Sequence, residues 1–202
     1  MPERWSTTQK LLGFLGPPYP TKGYIRDGLE TCEAHLHKVE VLRRIALKLR
    51  PDLPKDRAQL EEIGASQQHH SQEFAAICET IICELYSVLD GLRTFIYGAY
   101  RHVQRVQNES NERLLKRAAD NVYGPGIPEE ICAFLAGAYN TWFPHLRNLR
   151  KELTHGSVGF CDLDQTTDLV RYFNEGIKEE GRTLITARCC ARMTIEENRE
   201  NK

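Results

Sequence analysis

The chain has 202 residues, enough for one domain whose core buries roughly 70% of the surface exposed by the unfolded chain. Its 27 Lys and Arg residues are balanced by 28 Asp and Glu residues, and the net charge of -1 excludes a whole-molecule basic field of the kind that attracts nucleic acid. Its seven cysteines have no regular spacing, and it shows neither a leader pattern nor a run long enough to span a membrane, so reduced core thiols and a cytoplasmic chain are expected.

In chain order, Gly16-Pro17-Pro18 and Pro20 predict an irregular N-terminal arm over residues 1–26, followed by a single domain over 27–202. Leu29, Cys32, Leu36, Val39, Leu42, Ala46 and Leu49 recur every three or four positions, which predicts a helix over 27–50 that Pro51 and Pro54 stop. The residues from Lys55 to Ser66 read as a charged connection. Phe74, Ile77, Ile81, Leu85, Val88, Leu92, Phe95 and Ala99 then predict the longest helix.

A short polar helix is expected over 109–120, and Tyr123-Gly124-Pro125-Gly126-Ile127-Pro128 breaks the chain before Glu129 and Glu130 open a third apolar stripe. That stripe runs through Cys132, Leu135, Tyr139, Trp142, Leu146, Leu149 and Leu153, with Pro144 inside it as the place for a kink or a shortened helix. Gly156 stands where a left-handed C-cap is expected. Beyond it, residues 168–176 read as strand or short helix, 183–188 as strand and 194–201 as a frayed helix.

Two local basic groups are candidates for nucleic-acid contact: Arg101, Arg105, Arg113, Lys116 and Arg117 in one stretch, and Arg147, Arg150 and Lys151 in the other. The second belongs to Leu146-Arg147-Asn148-Leu149-Arg150-Lys151-Glu152-Leu153-Thr154-His155-Gly156, in which four residues separate Arg150 from His155. An Arg-His spacing of this kind is weak evidence by itself, because short motifs recur by chance. Arg150 paired with a carboxylate, and His155 bonding the last helix carbonyls, would explain the same residues without any function.

This helix end, preceded by a long helix carrying Leu85-Tyr86-Ser87-Val88-Leu89-Asp90-Gly91-Leu92, resembles the HEPN superfamily over about residues 28–160. The resemblance implies an all-α fold: an up-down helical bundle with two long antiparallel helices, an Arg-x4-6-His motif near the end of the second, and a less regular C-terminal extension over 161–202. It further implies a metal-independent endoribonuclease, of the kind found among toxins and antiviral effectors, acting as a homodimer on RNA without a cofactor. An antitoxin or a nucleotidyltransferase would be its controlling partner. The alternative implied by the same family is an inactive binding or scaffolding domain. Arg150 and His155 take the catalytic roles, with Arg147, Asn148, Lys151 and Asp90 as substrate-binding residues.

The chemistry of those side chains stands apart from the resemblance. A neutral imidazole can remove the proton of a ribose 2'-hydroxyl or return one to a leaving 5'-oxygen, while a guanidinium grips the phosphate bidentately as charge develops. One histidine is not easily both acid and base, so a two-fold dimer that joins two motifs is the natural completion.

Other groups are weaker. Tyr86, Asp90, Arg93 and Tyr97 share a helix face that could line the same cleft, although a surface Asp90–Arg93 ion pair between half-buried tyrosines explains them more simply. Cys32, His35 and His37 cannot converge on one ion from a continuous helix, and His69-His70 fails likewise, so no metal site is expected. Cys189-Cys190, between Arg188 and Arg192, read as neighbouring buried thiols.

Overall fold

The computed structural model describes residues 23–155, 159–164 and 166–173, and for His155 the backbone alone. The expected Gly156 cap, the strand over 183–188, the helix over 194–201 and the Cys189-Cys190 pair lie outside the described residues, as do residues 1–22 of the arm expected over 1–26, whose end is helix from Tyr24 onward. What is described is predominantly helical, an all-α fold with one two-stranded sheet. Two compact units divide it: residues 1–41 with 81–150, and residues 42–80 with 151–202.

In the first unit, helix α1 (Tyr24–Leu49) contributes its N-terminal part and the longest helix, α3 (His69–Tyr100), its C-terminal part. They run antiparallel: Ile25 meets Gly98, Gly28 meets Gly91 and Phe95, Cys32 meets Gly91 and Val88, and His35 meets Glu84. Glycine sets the closeness. A Cβ on Gly91 would stand 2.8 Å from both the Cys32 Sγ and the Gly28 carbonyl oxygen. The Cys32 thiol donates to the Val88 carbonyl at 3.3 Å, and burial pushes its pKa up to about 11.

Helix α4 (Asn111–Ala119) starts where Ser110 caps it, the hydroxyl accepting from Arg113 N at 3.2 Å. Its expected polar character holds on one side alone, since Asn111, Leu114, Leu115 and Ala118 are buried. The three apolar residues among them join Ile96, Tyr123, Ile127, Leu135, Ala138 and Phe143 in the core of this unit.

The third apolar stripe is not one helix but two, α5 (Glu129–Asn140) and α6 (Phe143–His155). Pro144 is the reason. It has no N–H to donate, and its ring would collide with the carbonyl four residues earlier, so the chain leaves helical geometry at Thr141 and restarts with Pro144 in the first turn.

The second unit corrects two further expectations. The charged connection from Lys55 to Ser66 is mostly helix α2 (Leu53–Ile63), with Pro54 in its first turn and Gly64 closing it at φ +70°, where its N–H donates to the Leu60 carbonyl. Pro51 and Pro54 therefore end one helix and open the next. The segment left between strand and short helix contains strand β2 (Leu169–Phe173), which pairs antiparallel with an unexpected strand, β1 (Phe160–Asp164), in the register Cys161↔Tyr172 and Leu163↔Val170. Cys161, Val170 and Tyr172 face inward, onto Ala46, Leu53, Phe74 and Ala75.

Candidate functional site

Helix α6 carries five of the six residues singled out for function, and the division between the units falls on it between Arg150 and Lys151. In the first unit, Phe143 is fully buried and anchors the start of the helix. Its ring stacks on Tyr86 of α3, with centroids 6.3 Å apart. The exposed Arg150 lies over the ring of that same tyrosine, its guanidinium carbon 4.3 Å from the Tyr86 ring centroid. Tyr86 therefore couples the core to the motif arginine.

Arg147 is exposed and ion-paired with Glu112 of α4 at 2.6 Å, and Asn148 is exposed between the two arginines. Asp90 lies in a different set of contacts. One of its carboxylate oxygens accepts from Arg93 at 2.9 Å and from the Asn111 amide at 3.0 Å, while Arg93 also donates to Asn108 at 2.9 Å. The ion pair that explained Asp90 without function is thus present and reinforced by two amides. The buried Asn111 is held through its NH2 group, for its carbonyl oxygen has no partner among the described residues.

In the second unit, Lys151 is exposed, and its carbonyl accepts from the Thr154 hydroxyl at 3.0 Å. Leu153 packs against the buried cluster around Cys161, and His155 is the last helical residue. Position 155 follows Arg150 by five residues along the same helix, on the far side of the division between the units.

Three of the five residues of the other basic stretch are engaged within the chain. Arg113 pairs with Glu109, whose carboxyl that guanidinium holds below the usual range; Lys116 pairs with Asp120 at 2.5 Å; and Arg117 donates to the Arg105 carbonyl and to Gln107. Among the described residues, no group of three His, Cys, Asp or Glu side chains is placed to hold a metal ion. His35 is instead hydrogen-bonded to Glu84.

Sequence reasoning placed Tyr86 in a strip with Asp90 but missed its contact with Arg150, since no local pattern links two helices so far apart in the chain. It also missed a cleft of about 250 Å³ in the second unit, bounded by Leu53, Asp56, Leu60, Ser71, Phe160 and Cys161. There the buried Asp56 accepts from Ser71 N at 2.7 Å, which caps the start of α3 from another helix. No protein-family model, curated protein or solved structure matches the chain.

Proposed function

We propose that this chain is a metal-independent endoribonuclease of HEPN type, working in the cytoplasm on single-stranded RNA. The observation that carries the reading is the placement of Arg150 over Tyr86 on an exposed helix. A guanidinium stacked on a ring keeps its N–H edge in its own plane, the geometry that takes two phosphate oxygens at once. In this reading Arg150 stabilises the charge gathering on the phosphate. His155 moves the proton, taking it from the 2'-hydroxyl as that oxygen attacks phosphorus, or giving it to the 5'-oxygen as the P–O bond breaks. The products are a 2',3'-cyclic phosphate and a 5'-hydroxyl. Asn148 and Lys151 supply further contacts to the RNA backbone, and a second copy of the chain supplies the second histidine. An antitoxin or a nucleotidyltransferase is the partner that would restrain such an activity.

The test is cleavage of labelled single-stranded RNA in EDTA. We expect His155→Ala to lower the rate by at least about 100-fold, the scale of a lost general acid or base, with the melting temperature unchanged. Undiminished cleavage by that variant would sink the enzyme reading.

A second reading, a binding or scaffolding domain of the same family, is favoured by one set of observations. Arg147 and Asp90 are both engaged within the chain, by Glu112 and by Arg93 with Asn111. RNA retained but not cut by the wild-type protein would decide for it.

A further inference from the structure

Strand β1 is fastened to the first half of α3 at two points. The Ser71 hydroxyl accepts from Cys161 N at 2.9 Å and donates to the Cys161 carbonyl. Further along the same helix, Glu79 accepts from Gly159 N at 2.8 Å and from the Tyr172 hydroxyl at 2.6 Å. Between these fastenings lies Cys78, seven residues after Ser71 and so on the same face of α3. It packs against the buried cluster that contains Cys161, close enough for each thiol to shift the other's pKa. Neither is in a disulfide, and Cys161 lines the cleft bounded by α2 and β1.

We propose that Cys78 and Cys161 are a redox pair, oxidised by a peroxide to a disulfide that staples the β1–β2 hairpin to α3. The two cysteines have different parts. The Cys161 thiol beside it holds the Cys78 pKa below that of an ordinary thiol, while the same contact, with burial, keeps Cys161 protonated. The Cys78 sulfur attacks one oxygen of hydrogen peroxide and the O–O bond breaks. Sulfur is oxidised to a sulfenic acid, and the other oxygen leaves as water with the proton Cys78 gave up. The Cys161 sulfur then attacks that sulfenic sulfur, the S–O bond breaks, and the departing hydroxyl takes the Cys161 proton. Two thiols and one peroxide become one disulfide and two waters. Burial raises the pKa of Cys32 and Cys132, which makes them poorer competitors for the oxidant.

The experiment uses the full chain, reduced and then exposed to hydrogen peroxide. Peptide mapping without reduction should recover a Cys78–Cys161 link, with a mass loss of about 2 Da that dithiothreitol reverses. The closed loop is long, so the melting temperature should rise by roughly 5–10 °C on oxidation. Cys78→Ser should abolish both changes, and Cys83→Ser should leave both intact. In Cys161→Ala, dimedone should trap a sulfenic acid at Cys78; if that variant does not fold, the Cys78→Ser comparison decides alone. Recovery of both cysteines as free thiols after peroxide, or a thermal shift that persists in Cys78→Ser, would overturn the proposal.

Discussion

Tyr86 and Arg150 show how much one side chain can decide. The ring stacks on Phe143 in the core, and the guanidinium lies over its electron-rich face. The stacking limits the rotamer freedom that Arg150 has to lose on each encounter with phosphate. Tyr86→Leu keeps apolar bulk against Phe143 and removes the quadrupole. It should weaken RNA binding about two- to fivefold, the equivalent of an exposed cation–π contact of about 0.5–1 kcal/mol. Fluorescence anisotropy with labelled RNA reads this directly, and unaltered affinity would remove Tyr86 from the site. Asp90 makes the opposite point. Its position beside Tyr86 suggests a ligand contact, yet its carboxylate is turned to Arg93 and Asn111.

Among the elements, the α1–α3 pair depends on the absence of side chains. Gly28, Gly91 and Gly98 let the backbones approach until a Cβ at any of them would lie under 3 Å from the other helix. Gly91→Ala should therefore destabilise the protein by about 1–3 kcal/mol through overpacking, although alanine is the better helix former. Differential scanning calorimetry should show a fall of roughly 3–10 °C. The β1–β2 hairpin has its own electrostatic lock. Asp164 accepts from Thr166 N at 2.9 Å and Thr167 N at 3.3 Å and pairs with Arg171. The backbone N–H groups, Thr167 first, hold its carboxyl below the ordinary aspartate value. A depressed folded-state pKa gives stability that is present above the unfolded value of about 3.9 and lost as pH falls through the folded value. Asp164→Asn should flatten the acid limb of a urea-midpoint series run from pH 6 to pH 2 and leave the rest of the curve parallel to wild type; a limb of unchanged steepness would contradict this.

For the whole molecule, the proposed reaction asks for more than one chain. A single histidine serves one proton transfer, so the site is completed most simply across a two-fold axis that brings in a second histidine. Sedimentation velocity at micromolar concentration should show a dimer. In a titration of wild-type protein with an excess of His155→Ala, cleavage should fall below the wild-type share, because a mixed dimer holds only one histidine. A monomer throughout, with cleavage that simply follows the wild-type share, would exclude a composite site.

The long features, whose signal is periodic, are legible in the chain alone. The stripes from Leu29 to Leu49 and from Phe74 to Ala99 each mark one side of a helix over many turns, and α1 and α3 follow them closely. The Arg150 and His155 spacing was equally legible, being local. Tertiary structure decided the rest. Helix α2 has a polar sequence with Leu60 and Ile63 exposed, so it carries no stripe, and it is held by burying Leu53 and Asp56 at one end. The two strands are too short for alternation to separate them from loop, and they are set by pairing with each other and by Ser71 and Glu79 of a distant helix. Tyr86 under Arg150 and Cys78 beside Cys161 belong to the same class. A local pattern records which face of a segment is apolar; which residue of another segment comes to lie against it depends on packing between parts of the chain far apart in sequence.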